Sequence, residues 1–163
     1  MDKSFRGKCA IVTGAASGIG KAVAEALTES GAEVIGFDLN VSNAAFDVIF
    51  CDVSSESFVS TAVAEAMRRL GTIDILVNCA GIQLDADLAD LDVAILDKMY
   101  AVNLRGPILV MRACLPHFRE GARVVNLASE LARLQEDLVG DGWAVTRLDV
   151  SRTDSVADRK SVV

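Results

Sequence analysis

Short apolar runs alternate along the chain with longer segments in which apolar residues recur every three or four positions. The short runs predict buried strands, and the longer segments predict helices that cover them. The predicted strands are Cys9–Thr13, Glu33–Asp38, Val48–Asp52, Ile73–Asn78 and Arg123–Ala128. This alternation is typical of a parallel sheet with crossover helices.

Three helices are predicted between these strands. The first runs from Gly18 to Ser30, the second follows Ser54–Ser55–Glu56 and ends at Gly71, and the third runs from about Asp92 to Leu115. The first carries Ile19, Val23, Ala26, Leu27 and Ser30 at helical spacing. The inward residues of the second are expected to be Val59, Ala62, Val63, Ala66 and Leu70, and those of the third Ile95, Met99, Val102 and Leu109.

Local signals predict how these helices begin, end and bend. The hydroxyls of Ser54 and Ser55 are good N-cap groups, and Gly31 stands where the first helix should end. Gly106–Pro107 should kink or interrupt the third helix, because proline lacks an N–H donor. Right-handed crossovers then give an α/β, Rossmann-type doubly wound parallel sheet in the order 3-2-1-4-5.

The composition favours one globular domain without a polyanionic partner. The chain has 163 residues, of which 52% are hydrophobic, and this is enough to fill a core. A net charge of −7 argues against nucleic-acid binding, which needs clustered lysine and arginine. The beginning of the chain has no apolar signal core, and no stretch approaches the roughly 18 apolar residues of a membrane helix. No nucleic acid and no membrane are expected as partners.

The four cysteines are widely spaced, and the chain has a single histidine. Cys9, Cys51, Cys79 and Cys114 therefore predict neither a zinc site nor a disulfide framework, and no metal site is expected. The favoured interpretation is that they are buried thiols acting as small apolar residues. A reduced, cytoplasmic compartment follows from this cysteine usage.

A glycine-rich segment lies between the first predicted strand and the first predicted helix. Gly14, Gly18 and Gly20 have the spacing GxxxGxG. Without side chains, the backbone can turn tightly there and approach a pyrophosphate at the positive N-terminus of the helix. A plain strand-to-helix turn is the alternative, but the flanking strand and helix favour a dinucleotide site.

An acidic residue, Asp38, ends the second predicted strand, 18 positions after Gly20. Its carboxylate can accept hydrogen bonds from both hydroxyls of an adenosine ribose and repel a 2′-phosphate. Ser17, Leu39 and Asn40 supply no cation for such a phosphate. NAD is therefore favoured over NADP, and an ordinary solvated carboxylate is the alternative.

Several motifs in the right order make the chain similar to the short-chain dehydrogenase/reductase family over about residues 5–130. Thr13–Gly20 resembles that family's cofactor loop, and Asp52–Val53 resembles its adenine-contacting pair. Asn78–Gly81 resembles its Asn-Asn-Ala-Gly motif, with Cys79 in place of a more usual Asn or Ala. The resemblance implies cofactor contacts from Gly14, Ser17, Gly18, Ile19, Gly20, Asp38, Asp52, Val53, Asn78, Ala80 and Gly81.

The resemblance also implies catalytic roles for two residues. Ser129 matches the family's catalytic serine, which polarises the substrate oxygen, and Asn103 matches the helix asparagine that anchors a proton-relay water. Each motif residue also has a local alternative. Asn78 would cap strand-end backbone groups, Asn103 would bond within its helix, and Ser129 would start a turn.

The chain departs from the family at the residues that transfer the proton. Family members use a tyrosine for this transfer and a lysine four residues later, which lowers the pKa of the tyrosine. The one candidate segment is Trp143–Arg147, which keeps this spacing with Trp for Tyr and Arg for Lys. A coincidental match is the alternative. Indole has no usable acid pKa, and guanidinium stays charged with a different geometry.

Regular strand and helix signals fade after Glu130. We interpret residues 1–130 as an NAD-binding Rossmann domain and residues 131–163 as a divergent, partly disordered segment of the same domain, lacking the family's last strands. A reading-frame change or a spliced end near residues 131–140 is one hypothesis for this segment. The fifth strand would then be an unpaired apolar edge unless the tail or another subunit covers it.

Two functions remain open at this point. The first is an NAD-dependent oxidoreductase that interconverts a secondary alcohol and a ketone by hydride transfer. The second is a non-catalytic dinucleotide-binding or interaction protein that has lost the tyrosine and lysine. The resemblance further implies a small alcohol or ketone as substrate and a homo-oligomer.

Overall fold

Five parallel strands form one sheet in a computed structural model of the protein, which describes residues 4–41, 45–83 and 92–127. The strands are β1 (Cys9–Thr13), β2 (Glu33–Asp38), β3 (Asp47–Phe50), β4 (Ile73–Asn78) and β5 (Phe118–Asn126). Their order is β3-β2-β1-β4-β5, and each pair of neighbours is parallel. The predicted fold class and strand order are confirmed.

Helices cover both faces of this sheet. They are α1 (Gly18–Glu29), α2 (Glu56–Leu70), α3 (Val93–Met99), a π-helical segment (Tyr100–Arg105), α4 (Gly106–Cys114) and a 3₁₀ turn (Leu115–His117). Gly31 and Gly71 follow the ends of α1 and α2, as predicted, and their φ angles of 94° and 71° show that both have the positive φ that glycine favours after a helix.

Alternate residues of β1 point into two separate cores. Ala10 and Val12 pack with Ala24 of α1, whereas Ile11 packs with residues of α2 and α4 such as Val59 and Val110. Successive side chains of a strand face opposite sides of the sheet. A central strand with helices on both sides is therefore apolar at every position, as the continuous run Cys9–Thr13 shows.

Both edge strands differ from their predicted bounds. β3 ends at Phe50 and not at Asp52, because Asp52 already begins a turn in which its carboxylate accepts from Ser54 N at 2.9 Å. β5 begins at Phe118 and not at Arg123, and its register against β4 is irregular between the pairs Ile73–Phe118 and Ile75–Arg123. It ends at Asn126.

The third helix is interrupted where the sequence predicted a break, but in a different form. The helix begins after Asp92, whose carboxylate accepts from Ala94 N at 2.9 Å, and the π-helical segment directly precedes Gly106–Pro107. Leu109 is buried as predicted. The predicted inward residues Ile95, Met99 and Val102 are only half-buried, as is Leu70 of α2.

The helical pattern of α1 is only partly buried, and the predicted cap of α2 does not form. Ile19 and Ala26 of α1 are exposed, whereas Val23 and Leu27 are half-buried. Neither serine hydroxyl caps α2. Ser55 occupies the N-cap position, but its hydroxyl pairs with the Ser57 hydroxyl at 3.1 Å and makes no capping bond to the backbone. The Ser54 hydroxyl donates to Asp52 at 2.6 Å.

All four cysteines are free thiols, and three of them are buried. Burial raises the pKa of Cys51 and Cys114 to about 12, so both thiols stay protonated in the core. Cys79 is half-buried, and burial raises its pKa as well. These environments agree with the interpretation of the cysteines as small apolar residues.

Within the described part of the chain, no helix has the length and apolar character needed to cross a bilayer. No group of three or more His, Cys, Asp or Glu side chains in the same residues is placed to hold a metal ion.

Candidate functional site

The carboxyl ends of β1, β2, β3 and β4 meet at one edge of the sheet. Thr13 pairs with Phe37 of β2 and with Asn78 of β4, and Asp38 pairs with Phe50 of β3. The loops that follow these four strands therefore converge. In open α/β sheets this edge is where ligands bind.

The glycines between β1 and α1 are required for different reasons, which are a close backbone contact, a positive φ angle or both. Gly14 has a φ of 68°, and a Cβ atom there would lie 2.8 Å from the backbone nitrogen of Ala80. A Cβ atom at Gly20 would clash with the carbonyl oxygen of Gly14. Gly18 has a φ of 52° but meets nothing within 4 Å. The turn is thus closed on its inner side and open in front of Gly18.

Helix α1 begins directly behind this open space. Its N-cap residue, Ser17, is exposed and makes no side-chain capping bond, and its first turn carries no acidic residue. The unpaired N–H groups and the helix dipole make such an N-terminus attractive to an anion. Ile19, in the first turn, is 62% exposed, which is high for an apolar side chain beside a turn.

Thr13 links the end of β1 to the loop after β4. Its buried hydroxyl oxygen accepts from Cys79 N at 3.1 Å and from Ala80 N at 3.0 Å. This role of Thr13 was not predicted from the sequence. The feature that could have indicated it is a hydroxyl residue at the end of an otherwise apolar buried strand.

The Asp38 carboxylate lies between the glycine-rich turn and the segment after β2. Oδ2 accepts from Ala16 N and Oδ1 accepts from Asn40 N, both at 2.9 Å. Each oxygen of a carboxylate can accept two hydrogen bonds. Both Asp38 oxygens therefore keep capacity for a further donor, such as a ribose hydroxyl.

Asp52 and Val53 follow β3 and face different ways. One Asp52 oxygen accepts from the backbone N–H and the hydroxyl of Ser54. Val53 is buried against the start of α4, where a Cβ atom on Gly106 would lie only 3.0 Å from its Cγ2. Val53 thus offers a ligand its backbone groups, whereas its side chain belongs to the core.

Asn78 is buried at the end of β4 and bonds sideways to β5. Its Nδ2 donates to Oδ1 of Asn126 at 2.7 Å, and its backbone oxygen accepts from Leu127 N at 2.9 Å. The Asn78 Oδ1 atom is buried and has no hydrogen-bond partner among the described residues. Asn78 therefore fixes the relative position of β4 and β5.

Asn103 joins the π-helical segment to the loop after β4. Its Oδ1 accepts from Ile82 N at 2.9 Å, and its Nδ2 donates to Ile82 O at 2.8 Å. A Cβ atom on the adjacent Gly81 would lie 3.4 Å from Asn103 Oδ1. The pair holds this loop closely, and a π-helical turn at such a point is a common feature of functional sites.

The structure brings the eleven residues predicted to bind the cofactor to this one edge, in strand ends, in loops and in the first turn of α1. They are Gly14, Ser17, Gly18, Ile19, Gly20, Asp38, Asp52, Val53, Asn78, Ala80 and Gly81. Asn103 lies beside them through its bonds to Ile82. Ser129, Trp143 and Arg147 lie outside the described residues. The roles assigned to all these residues stay predictions.

A doubly wound parallel sheet with a glycine-rich turn at the end of its first strand defines a Rossmann-type dinucleotide-binding domain. A family model for the short chain dehydrogenases matches residues 8–139. The chain belongs to the short-chain dehydrogenase family, whose members are oxidoreductases that use nicotinamide dinucleotides.

Individual relatives support this assignment. The chain is 35% identical over 161 residues to a sorbitol dehydrogenase of Cereibacter sphaeroides, covering 91% of this chain and 63% of the relative. It is 37% identical over 153 residues to a D-threitol dehydrogenase of Mycolicibacterium smegmatis, covering 84% of this chain and 59% of that relative. The chain therefore spans about three fifths of the length of these curated relatives.

The fold is also similar to that of a solved dehydrogenase. The ligand-free aldohexose dehydrogenase of Thermoplasma acidophilum superposes with a TM-score of 0.76 at 27% identity. The match covers 86% of this chain and 60% of that one.

Proposed function

We propose that this chain forms the NAD-binding part of an oxidoreductase that interconverts a secondary alcohol and a ketone. The observation that carries the choice of NAD is the Asp38 carboxylate, which lies beside the glycine-rich turn at the end of β2. Residues 39–47 contain no lysine or arginine to neutralise a 2′-phosphate. A negative charge at that point favours ribose hydroxyls over a phosphate.

The residues present fit a dinucleotide. A pyrophosphate would bind over Gly18, where a side chain is missing and the space in front is open. The N-terminus of α1 supplies unpaired N–H groups there. Asp38 would accept both adenosine ribose hydroxyls, and Asp52 with the backbone of Val53 would contact the adenine. The exposed Ile19 would be covered by the bound cofactor.

Bound NAD would accept or donate the hydride. Ser129 would donate a hydrogen bond to the substrate oxygen and polarise the carbonyl. Asn103 holds Ile82 through one lone pair and one hydrogen of its amide, so the second of each remains for a relay water. These roles follow from the family motif and are proposals for this chain.

The substrate we propose is a small polyol or the corresponding ketose. Two relatives are named as dehydrogenases of sorbitol and D-threitol, which are open-chain polyols. The chain covers less than two thirds of each relative, so the activity of the whole protein is a proposal as well. A homo-oligomer is expected from the family.

A second function is favoured by one observation in the sequence. Trp143 and Arg147 occupy the spacing of the family's tyrosine and lysine, and neither side chain can perform the proton transfer. A non-catalytic protein that keeps the dinucleotide site is the function that these two residues favour.

Fluorescence titration with NADH and NADPH, followed by turnover assays with polyols in the same sample, tests both functions. We expect NADH to bind more tightly than NADPH. Tight NADH binding with turnover would support the oxidoreductase, and tight binding without turnover would select the non-catalytic protein. If neither nucleotide binds, both proposals are wrong.

The double variant Trp143→Tyr with Arg147→Lys tests whether these two residues occupy the active site. Tyrosine can transfer a proton, and a nearby lysine lowers its pKa. We expect polyol oxidation with NAD to rise above the level of the unmodified chain. The single variant Trp143→Phe serves as the control. If the double variant and the control oxidise polyols equally, Trp143 and Arg147 do not occupy the active site.

A further inference from the structure

Three successive backbone N–H groups of the glycine-rich turn are held by the end of β2. Gly14 N and Ala15 N donate to Phe37 O at 2.8 and 3.4 Å, and Ala16 N donates to Asp38 Oδ2 at 2.9 Å. Any residue at position 37 would supply the backbone acceptor. The bond to Ala16, by contrast, depends on the side chain at position 38.

The second oxygen of Asp38 is held as well. Asn40 N donates to Oδ1 at 2.9 Å, so backbone donors fix the carboxylate on both sides. Bonds from N–H groups to a carboxylate are charge-assisted and stronger than bonds between neutral groups. The Asp38 side chain is therefore oriented by protein groups alone, without a ligand.

The turn also packs against β2 without spare room. The Ala15 methyl group is fully buried, and a Cβ atom on Gly36 would lie 2.7 Å from it and 2.9 Å from Cε2 of Phe46. The turn is thus seated on β2 by contact at Ala15 and by a hydrogen bond at Ala16. Loss of the Ala16 bond would free the part of the turn that leads into Ser17 and Gly18.

We propose that Asp38 is a positioning residue for the phosphate-binding turn in addition to its role in selecting NAD. One carboxylate then couples cofactor choice to the order of the turn. We call the hydrogen bond from Ala16 N to Asp38 Oδ2 the brace. The coupling to cofactor choice rests on the proposed function, whereas the brace does not. Removing the charge to admit a 2′-phosphate therefore disturbs the turn, unless an acceptor remains at position 38.

The brace is tested in the cofactor-free full chain by amide hydrogen exchange of Ala16, followed by NMR. We expect Asp38→Ala to accelerate exchange of this amide roughly 10-fold or more, as for a lost hydrogen bond to a charged group. Asp38→Asn, which keeps an acceptor oxygen, should accelerate it less. Asp97→Ala, on the exposed face of α3, is the matched control and should leave Ala16 unchanged. Equal Ala16 exchange in Asp38→Ala and the unmodified chain would overturn the brace.

A second measurement needs no variant and covers the case in which Asp38→Ala fails to fold. In the unmodified chain, NMR couplings across the hydrogen bonds should join Ala16 N and Asn40 N to the carboxyl carbon of Asp38. A coupling seen for Asn40 N but not for Ala16 N would contradict the brace.

The coupling to cofactor choice is tested by NADPH titration of the two neutral variants. Both Asp38→Asn and Asp38→Ala remove the charge, but only the asparagine can still accept from Ala16 N. We expect NADPH to bind Asp38→Asn roughly 2- to 10-fold more tightly than Asp38→Ala, which is the effect of one neutral hydrogen bond. Equal or reversed affinities would overturn the coupling. If neither nucleotide binds even the unmodified chain, the proposed function fails, while the exchange experiment still decides the brace.

Discussion

Glycines in the turn between β1 and α1 are needed for two separate physical reasons. Gly20 allows the first turn of α1 to lie against the carbonyl of Gly14, where a side chain would meet backbone atoms that cannot move independently. Gly18 has open space around it, and only its left-handed φ disfavours a side chain. The two positions should therefore differ in their tolerance of alanine.

The pair Gly20→Ala and Gly18→Ala tests this difference in the free energy of unfolding. Alanine at position 18 should cost roughly 1–2 kcal/mol, the price of one left-handed residue. Alanine at position 20 should cost more, because the turn must move away from α1. Urea unfolding of both variants measures the two values. A smaller loss for Gly20→Ala than for Gly18→Ala would contradict the description of the turn.

Among the elements, the π-helical segment before α4 has the clearest functional consequence. It carries Asn103, whose amide makes two bonds to the backbone of Ile82. Residues 79–82, which follow β4, are thus held by the Thr13 hydroxyl at Cys79 and Ala80 and by Asn103 at Ile82. This loop forms one wall of the candidate site.

Asn103→Ala should release the backbone of Ile82 from the π-helical segment. Two lost hydrogen bonds leave part-buried groups of Ile82 unpaired, so we expect the free energy of unfolding to fall by roughly 1–3 kcal/mol. Amide exchange of Ile82 should accelerate in the same variant. Lys98→Ala, an exposed change on α3, provides the comparison. Unaltered exchange at Ile82 would mean that Asn103 does not hold the loop.

The elements that the sequence predicted within their exact bounds are the strands buried in the middle of the sheet. β1, β2 and β4 have apolar runs that end where the strands end, because helices or neighbouring strands enclose them. β3 and β5 lie at the edges, where polar residues are tolerated. Arg119 enters β5 because its guanidinium donates to Asp74, a contact between residues far apart in the chain.

The residues of the candidate site were predictable from their motif, whereas their contacts were not. The glycine spacing and the position of Asp38 indicated a dinucleotide site from the sequence alone. The bonds from Asp38 to Ala16 and from Asn103 to Ile82 each join residues about twenty positions apart. No periodicity encodes such pairs, since they depend on how separate elements pack.

Across the whole molecule, the sheet has a second polar cluster at the edge opposite the candidate site. The buried Asp74 carboxylate accepts from Cys9 N, Lys8 Nζ and Arg119 Nη1 at 3.0, 3.1 and 3.3 Å. Burial alone would raise the pKa of Asp74, but the Cys9 N–H and the two cations outweigh it and lower that pKa. This cluster joins the starts of β1, β4 and β5.

The stability of the chain should therefore depend on the charge of Asp74. The pKa of Asp74 is lower in the folded than in the unfolded chain. The stabilisation is therefore fully present at pH values above the unfolded-state pKa of an aspartate, which is about 4. It is lost as the pH falls through the folded-state value.

Asp74→Asn measures this contribution. We expect the free energy of unfolding near pH 7 to fall by roughly 1–3 kcal/mol, and the difference from the unmodified chain to narrow below about pH 4. Urea unfolding across this pH range provides the values, with Asp97→Asn as an exposed control. A difference that stays constant with pH would contradict the assigned role.

The proposed NAD site lies at the carboxyl edge of β1, β2, β3 and β4. Amide hydrogen exchange of the full chain, compared with and without NADH, tests it most directly. We predict protection of the turn from Gly14 to Gly20, of Asp52–Val53 and of Ala80–Gly81, and little change around Asp74 at the opposite edge. Protection confined to other surfaces, or none at saturating NADH, would contradict the proposed site.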